Sequence, residues 1–267
     1  MRASLPMYDL PDLAAASDDW WAGLAAAFRA EGLEEVPDRL TRQSDAAALW
    51  TAPDLLFSQT CGYPLTHALA GKVTLVATPV YACPGCAAGS YCSDILVRAD
   101  DRAASLGDLR GRRAAVNAKD SQSGFSALRH AVAGLAEEGR FFGEVRLSGS
   151  HRNSLRMVAT GEADVCAVDT VTHHLLQRSE PELTGAVRVL AASAAAPALP
   201  YISRRGLPDA ELERLRAGLR RAIADPALAE ARADLLLADI VVKPLSAYDR
   251  ILELEDAAAA AGYPVLT

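Results

Sequence analysis

Residues 116–129 read VNAKDSQSGFSALR, and in this segment a short apolar strand runs into hydroxyl groups and a glycine that open an amphipathic helix. The first turn of a helix leaves backbone N–H groups unpaired and carries the positive end of the helix dipole, so phosphate or carboxylate oxygens bind there. Ser121 and Ser123 add hydroxyl donors, and Gly124 lets a ligand approach the backbone closely. The segment therefore predicts an anion site, although Ser121 or Ser123 would also serve as an ordinary helix cap.

Short apolar runs alternate with helical patterns on both sides of that segment. The alternation is typical of βα units and predicts an α/β fold with mostly parallel sheets flanked by helices. Trp21, Leu24, Ala25 and Phe28 fall on one face of the first helix, and Asp45 is placed to cap a brief helix that ends at Trp50. Strands are expected at 3–8, 40–43, 54–59, 73–81, 94–98, 114–116, 145–148, 165–168 and 187–191, and helices at 17–30, 45–50, 123–138, 153–160, 171–178, 209–223, 226–237 and 246–261.

Two crossings of the chain, near 96–101 and 192–204, predict two lobes. Residues 1–97 and 200–267 would form the first lobe, and residues 98–199 the second. Loops at the carboxyl ends of strands would then collect in a cleft between the lobes, as they do in open α/β sheets.

Charge and hydropathy limit the classes of partner that the protein could bind and the compartment in which it could act. The chain of 267 residues has a net charge of -7, which disfavours nucleic acid and anionic membrane surfaces as partners. No window has the ~18 uninterrupted apolar residues of a membrane span. Residues 1–11 lack the apolar run of a secretory signal because Pro6, Asp9 and Pro11 interrupt them, so the sequence favours the cytoplasm, with the periplasm as the alternative.

The five cysteines do not form a disulfide framework for a chain of this length. Cys83 and Cys86 have the two-residue spacing of redox pairs and zinc sites, and Cys92 follows closely. Three interpretations remain open for this cluster: free thiols in a loop, a local disulfide, or a metal site. No second CxxC pair completes a structural zinc site, so we expect neither a metal nor a cofactor.

Polar loops follow several of the expected strands, and together they carry a family resemblance. They are the loops at 58–63, 90–91, 120–125 and 149–153, joined by a strand at 161–169 that ends in Asp169. The segment 117–124, with 149–151 and 161–169, resembles the solute-binding proteins of phosphate, phosphite and phosphonate ABC importers, the PhnD-like family. The resemblance covers nearly the whole chain and implies a periplasmic-binding-protein type II fold.

The resemblance implies which residues hold the ligand. Ser121, Ser123 and the N–H groups of Gly124 and Phe125 would bind oxyanion oxygens from the second lobe, with His151 donating from the next loop. Tyr63 and Tyr91 would close over the ligand from the first lobe. Asp169 would accept a hydrogen bond from a protonated oxygen or an amino group of the ligand, which selects against sulfate.

Other roles stay open for three of these residues. His151 could be a structural residue at a helix start, and Tyr63 a packed turn aromatic. Asp169 could cap the helix that contains His173 and His174, two histidines that we interpret as structural or surface residues.

The function that follows is non-enzymatic binding of a small phosphorus oxyanion. The protein would be the solute-binding component of an ABC-type importer with a permease partner, or a cytosolic relative of one, and would act as a monomer. The alternative is an enzyme on the same scaffold, akin to pyrimidine-precursor synthases, that uses Cys61 or Cys166 with His151.

Overall fold

The computed structural model describes residues 1–42 and 45–267, which divide into two compact units. The first unit comprises Met1–Ala82, Ala87–Gly89 and Pro197–Ala247. The second unit comprises Cys83–Cys86, Ser90–Ala196 and Tyr248–Thr267.

Strands and helices are interspersed along the described residues. The strands are β1 (Arg2–Ala3), β2 (Leu55–Gln59), β3 (Val73–Tyr81), β4 (Ser90–Tyr91), β5 (Ser93–Arg98), β6 (Arg113–Val116), β7 (Glu144–Leu147), β8 (Val165–Asp169), β9 (Val187–Ala192), β10 (Ala196–Pro197), β11 (Tyr201–Arg204) and β12 (Leu237–Val241). The helices are α1 (Ala14–Ala30), α2 (Ala46–Trp50), α3 (Gly62–Thr66), α4 (Ala127–Ala133), α5 (His151–Ala159), α6 (Thr170–Ser179), α7 (Pro181–Gly185), α8 (Asp209–Ala224), α9 (Ala229–Asp234) and α10 (Asp249–Ala260).

Each unit contains a five-stranded mixed sheet, which confirms the α/β class and corrects the prediction of mostly parallel sheets. The first sheet has the order β1-β2-β11-β3-β12, and β11 runs antiparallel to both of its neighbours. The second has the order β7-β6-β8-β5-β9, and β5 runs antiparallel to both β8 and β9. An extended segment, not a helical crossover, leads into β5 and into β11, so the βα alternation that predicts parallel neighbours does not apply to them.

The core of the first unit is aromatic and lies under α1. Trp21, Leu24, Ala25 and Phe28 are all buried, as the helical spacing predicts. Phe57 on the fully buried strand β2 stacks on Trp21 with the ring centroids 6.3 Å apart. The same unit confirms the cap of α2, where the Asp45 side chain accepts a hydrogen bond from the Ala48 N–H at 2.9 Å.

The last twenty residues belong to the second unit, whereas the sequence prediction placed them in the first lobe. Tyr263 is fully buried in the core cluster of the second unit. Arg129 on α4 holds this segment through an ion pair with Glu255 at 3.0 Å and a hydrogen bond from its Nη1 to the Pro264 carbonyl at 2.5 Å. The apolar face of α10 therefore packs against α4, a choice that its amphipathic pattern alone does not specify.

Several element boundaries also differ from the predictions. The strand expected at 3–8 is only Arg2–Ala3, because Pro6 lacks the N–H that a ladder needs. Leu40–Arg42 are not a strand, and Gln43 lies outside the described residues. The helix expected at 226–237 ends at Asp234, and Leu237 begins β12 after Leu236 adopts a positive φ of 55°.

The helix expected at 123–138 is shorter and starts differently. It begins with a π-helical turn, Gln122–Ser126, and α4 ends at Ala133 just before Gly134. Within the described parts of the chain, no helix combines the length and the apolar character that crossing a membrane requires.

Candidate functional site

The π-helical turn after β6 forms the base of the candidate site in the second unit. The Ser121 hydroxyl accepts a hydrogen bond from the Gly124 N–H at 3.0 Å, and the Ser126 N–H donates to the Ser121 carbonyl at 3.0 Å. Ser121 is therefore the helix cap. The resemblance implies that the Gly124 N–H binds the ligand, whereas in the structure this N–H donates to Ser121. The first turn still presents the N–H groups of Ser123 and Phe125, which such a turn leaves without helical partners. π-Helical turns occur frequently at functional sites.

His151 reaches this turn from the next strand of the sheet. Gly149, with a φ of 84°, turns the chain after β7, and its N–H donates to the Asn117 carbonyl at 3.1 Å. The Ser150 hydroxyl then caps α5 by accepting from the Asn153 N–H at 3.1 Å. This local structure places the imidazole Nε2 of His151 at 2.8 Å from the Ser123 hydroxyl.

Asp169 completes the group at the end of β8. Its Oδ2 lies 3.5 Å from His151 Nε2, and its Oδ1 accepts a hydrogen bond from the Thr172 N–H at 2.9 Å. The Thr172 hydroxyl also donates to Oδ2. Asp169 therefore caps α6 and faces His151 at the same time, so the two roles weighed from the sequence coexist.

The surroundings of His151 favour the neutral imidazole when no ligand is bound. Burial lowers the pKa of His151, and the Asp169 carboxylate and the Ala167 carbonyl oppose that effect. In the neutral ring, Nε2 accepts the hydrogen bond from the Ser123 hydroxyl when the proton is on Nδ1. An anion brought to Nε2 would favour the protonated ring, which then donates.

The geometry is not that of a Ser-His-Asp catalytic triad. In a triad the serine contacts one imidazole nitrogen and the carboxylate contacts the other. Here both Ser123 and Asp169 face Nε2. The arrangement is one of convergent polar groups around a single point.

Gly124 is required by close packing at the centre of the site. A Cβ atom at this position would lie 1.9 Å from Asn117 Oδ1 and 3.1 Å from His151 Cε1. The backbone of the turn is thus pressed between the Asn117 amide and the His151 ring. Any larger residue displaces one of these side chains.

Two residues that the sequence analysis did not single out belong to the same site. Both amide atoms of Gln122 and the Oδ1 of Asn117 are buried and have no hydrogen-bond partner among the described residues. Buried polar atoms normally have partners, so each exception calls for a specific explanation. Gln122 stands between the two serines of the anion segment, and that position is the signal that could have identified it.

Tyr91 and Tyr63 lie in different units. Tyr91 was predicted to act from the first lobe, but it belongs to the second unit, where it is 2% exposed. It lines a narrow crevice with Gln122, Ser123 and Ser193. Tyr63 lies on α3 of the first unit, where its ring stacks on His67 with centroids 3.9 Å apart, and its role in binding stays a prediction.

The Phe125 side chain is partly buried and packs against the core of the second unit. His173, which we interpret as structural from the sequence, is 3% exposed, and its Nδ1 lies 2.7 Å from Asp94 Oδ2.

In residues 1–42 and 45–267, no group of three or more His, Cys, Asp and Glu side chains is arranged to hold a metal ion.

The cysteines of the alternative enzyme differ in accessibility. Cys166 is fully buried in β8, and burial raises the pKa of its thiol, so it stays protonated and is poorly suited to act as a nucleophile. Cys61 is half-buried at the start of α3, in the first unit.

The comparisons with known proteins agree with this architecture. A family described as the periplasmic substrate-binding proteins of phosphonate ABC transporters matches residues 52–241. The match spans most of the chain, and the protein belongs to this family. No curated protein sequence matches the chain.

Solved structures show the same fold. The chain is similar to the binding-protein component of an ABC phosphonate transporter from Pseudomonas aeruginosa, with a TM-score of 0.79, 16% identity, and coverage of 98% of this chain and 87% of that chain. It is similar to PhnD1 from Prochlorococcus marinus in complex with methylphosphonate, with a TM-score of 0.79, 13% identity, and coverage of 96% and 97%. A protein from Xanthomonas citri bound to ATP matches with a TM-score of 0.72, 17% identity, and coverage of 98% of both chains. These similarities establish the periplasmic-binding-protein fold.

Proposed function

We propose that this protein binds a small phosphorus oxyanion, which is phosphate, phosphite or a phosphonate, and releases it chemically unchanged to an ABC permease. The observation that carries the proposal is the convergence of Ser123, His151 and Asp169 at the first turn of a helix, with Nε2 2.8 Å from the serine hydroxyl and 3.5 Å from the carboxylate. Family membership supports the same class of ligand.

The donors of the site match the acceptors of a tetrahedral oxyanion. The ligand has several acceptor oxygens, and it needs converging donors more than it needs one full countercharge. The Ser123 hydroxyl can turn from His151 to the ligand, while a protonated His151 donates from Nε2. The Gln122 amide gives a further donor that is already buried and lacks a partner among the described residues.

Asp169 supplies the selectivity in this proposal. A carboxylate beside an anion is unfavourable unless it accepts a hydrogen bond from the ligand. A protonated phosphorus oxyanion, or the amino group of an aminoalkylphosphonate, provides such a donor. Sulfate is fully deprotonated and leaves its acceptors facing Asp169, so we expect it to be rejected.

A ligand panel monitored by melting temperature tests the proposal. A ligand at a hundred times its Kd adds about 2.7 kcal/mol to the stability, which corresponds to a rise of roughly 5–10 °C for a chain of this size. Phosphate, phosphite, methylphosphonate or 2-aminoethylphosphonate should produce this rise, and sulfate should not. If none of the four does, the protein is not a phosphorus-oxyanion binder.

Two variants test whether the ligand-induced rise in melting temperature comes from binding at the proposed site. Ser123→Ala should reduce the ligand-induced rise, because it removes the hydroxyl that faces His151. Ser105→Ala is the control, since the Ser105 hydroxyl also makes a local hydrogen bond, to Asp108 Oδ2 at 3.0 Å, but lies at the separate 3₁₀ turn Leu106–Leu109. An equal loss of response in both variants would contradict the assignment of the site.

The compartment is part of the same proposal. The family is described as periplasmic, and we propose the periplasm for this protein, in place of the cytoplasm favoured by residues 1–11. Fractionation of the source cells followed by immunoblotting should find the protein in the periplasmic fraction. Recovery in the cytosolic fraction alone would support the original prediction instead.

A further inference from the structure

Cys83 and Cys86 are brought together by a tight turn in the second unit. The Cys86 N–H donates to the Cys83 carbonyl at 3.1 Å, and Gly85, the third residue of the turn, has a φ of 80°. Pro84 followed by a glycine with positive φ is typical of a type II turn. The turn holds the two Sγ atoms 3.1 Å apart. The turn therefore already places the two sulfur atoms in contact with each other.

A third thiol lies against this turn. A Cβ atom on Gly85 would lie 2.6 Å from the Cys92 Sγ, so the bare glycine is what lets the sulfur approach. The Cys92 Sγ is in hydrogen-bond contact with the Thr170 hydroxyl at 3.3 Å, and that hydroxyl in turn donates to Asp94 Oδ1 at 3.4 Å. Cys92 is thus held by its own partners, Thr170 and the Asp94 carboxylate beyond it.

The three thiols differ in their acidity. The hydrogen bond between Cys83 and Cys86 lowers the pKa of Cys83 and raises the pKa of Cys86. Burial raises the pKa of Cys92. The thiolate is the nucleophile in thiol–disulfide exchange, so the lowered pKa favours Cys83 as the attacking thiol.

We propose that Cys83 and Cys86 form a reversible disulfide by exchange with a small-molecule disulfide such as oxidised glutathione. The Cys83 thiolate attacks one sulfur of the oxidant, forms a mixed disulfide and expels one thiolate. Cys86 then loses its proton, attacks the Cys83 sulfur and expels the second thiolate, which closes the protein disulfide. The two protein thiols are oxidised, the external disulfide is reduced to two thiols, and excess thiol reverses the reaction.

Peptide mass analysis of the full-length protein tests this proposal. The folded protein is treated with oxidised glutathione, denatured, alkylated and digested with chymotrypsin. Cleavage after Tyr81 and Tyr91 gives a peptide, 82–91, that contains Cys83 and Cys86 but not Cys92. We expect this peptide to carry no alkyl group and to be lighter than the dithiol form by the mass of two hydrogens. Treatment with dithiothreitol before alkylation should restore two alkyl groups.

Three variants distinguish this pair from its neighbours. Cys92→Ser should retain the loss of both alkyl groups, and Cys86→Ser should leave Cys83 alkylated or joined to glutathione. Gly85→Ala should slow disulfide formation, because the side chain strains the turn. Cys61, a half-buried thiol outside the cluster, reports the general reactivity of the preparation.

Two results would overturn the proposal. One is a peptide 82–91 that keeps two alkyl groups after oxidation under conditions in which Cys61 reacts. The other is a cross-link between this peptide and Cys92, which would show that the turn does not select the pair.

Discussion

Replacing Gly124 by alanine tests whether the packing around the π-helical turn controls ligand binding. The new Cβ would lie 1.9 Å from Asn117 Oδ1 and 3.1 Å from His151 Cε1. Asn117 must therefore shift by about 1 Å, and such overpacking typically costs about 1–3 kcal/mol. The new Cβ also contacts the His151 ring, which shifts together with Asn117.

The expected loss appears mainly in ligand affinity. In the free protein Asn117 and His151 can move aside, but binding requires His151 to return to its position beside Ser123. If the strain of about 1–3 kcal/mol is imposed on the bound state, affinity falls roughly fivefold to more than a hundredfold. Calorimetric titration with methylphosphonate measures this change, and urea unfolding measures the accompanying change in stability.

Gly134→Ala is the matched control. Gly134 ends α4 with a φ of -69°, and a Cβ there meets no atom within 4 Å. The control should keep the affinity of the original protein and lose no stability. If Gly124→Ala binds methylphosphonate as tightly as Gly134→Ala does, the turn is not part of the binding site.

Three further variants test the electrostatics and the fold. Asp169→Asn keeps the cap of α6, since Asn is also a good N-cap, and should reduce the preference for phosphate over sulfate roughly tenfold in competition titrations; an unchanged preference would remove Asp169 from the selectivity argument. Because burial lowers the pKa of His151 below its ordinary value of 6.5, the unfolded chain takes up a proton that the folded chain refuses, so the free energy of unfolding should fall as the pH drops below about 6.5. His151→Gln should flatten this dependence in a series of urea titrations, and an equally steep decline in the variant would assign it elsewhere. Arg129→Met should cost roughly 1–3 kcal/mol of stability, because it breaks a largely buried ion pair and a hydrogen bond to a carbonyl. Arg250→Met removes an exposed pair and should cost less than about 0.5 kcal/mol, so equal effects in the two variants would contradict the assigned role of Arg129.

The grouping of Ser123, His151 and Asp169 could be predicted because strand direction determines it. β6 pairs in parallel with both β7 and β8, and the carboxyl ends of parallel strands meet at one edge of a sheet. Polar residues at the ends of these strands and in the loops that follow them are therefore expected to lie close together, and this inference needs only the strand pattern.

The sequence pattern does not predict the atomic detail of the site or the division of the chain into its two units. The π-helical turn directs the Gly124 N–H to Ser121 and buries the Gln122 amide, and no periodicity distinguishes such a turn from an ordinary helix start. The amphipathic pattern of α10 does not specify the unit on which it packs, and its position on α4 depends on the specific contacts of Arg129. The sequence pattern does not predict the strand β12, and the expected helix at 226–237 runs into its first residue, because apolar residues run without a break from Leu235 to Leu237.

The state of His151 when an oxyanion is added is the most direct measure of the binding site. The nitrogen NMR spectrum of the imidazoles, recorded near neutral pH and assigned with His151→Gln, reports whether Nε2 carries a proton. Addition of methylphosphonate should shift the His151 nitrogens toward the protonated form and leave His173, which is paired with Asp94, unchanged. A His151 signal that stays the same at saturating ligand would show that the anion binds elsewhere.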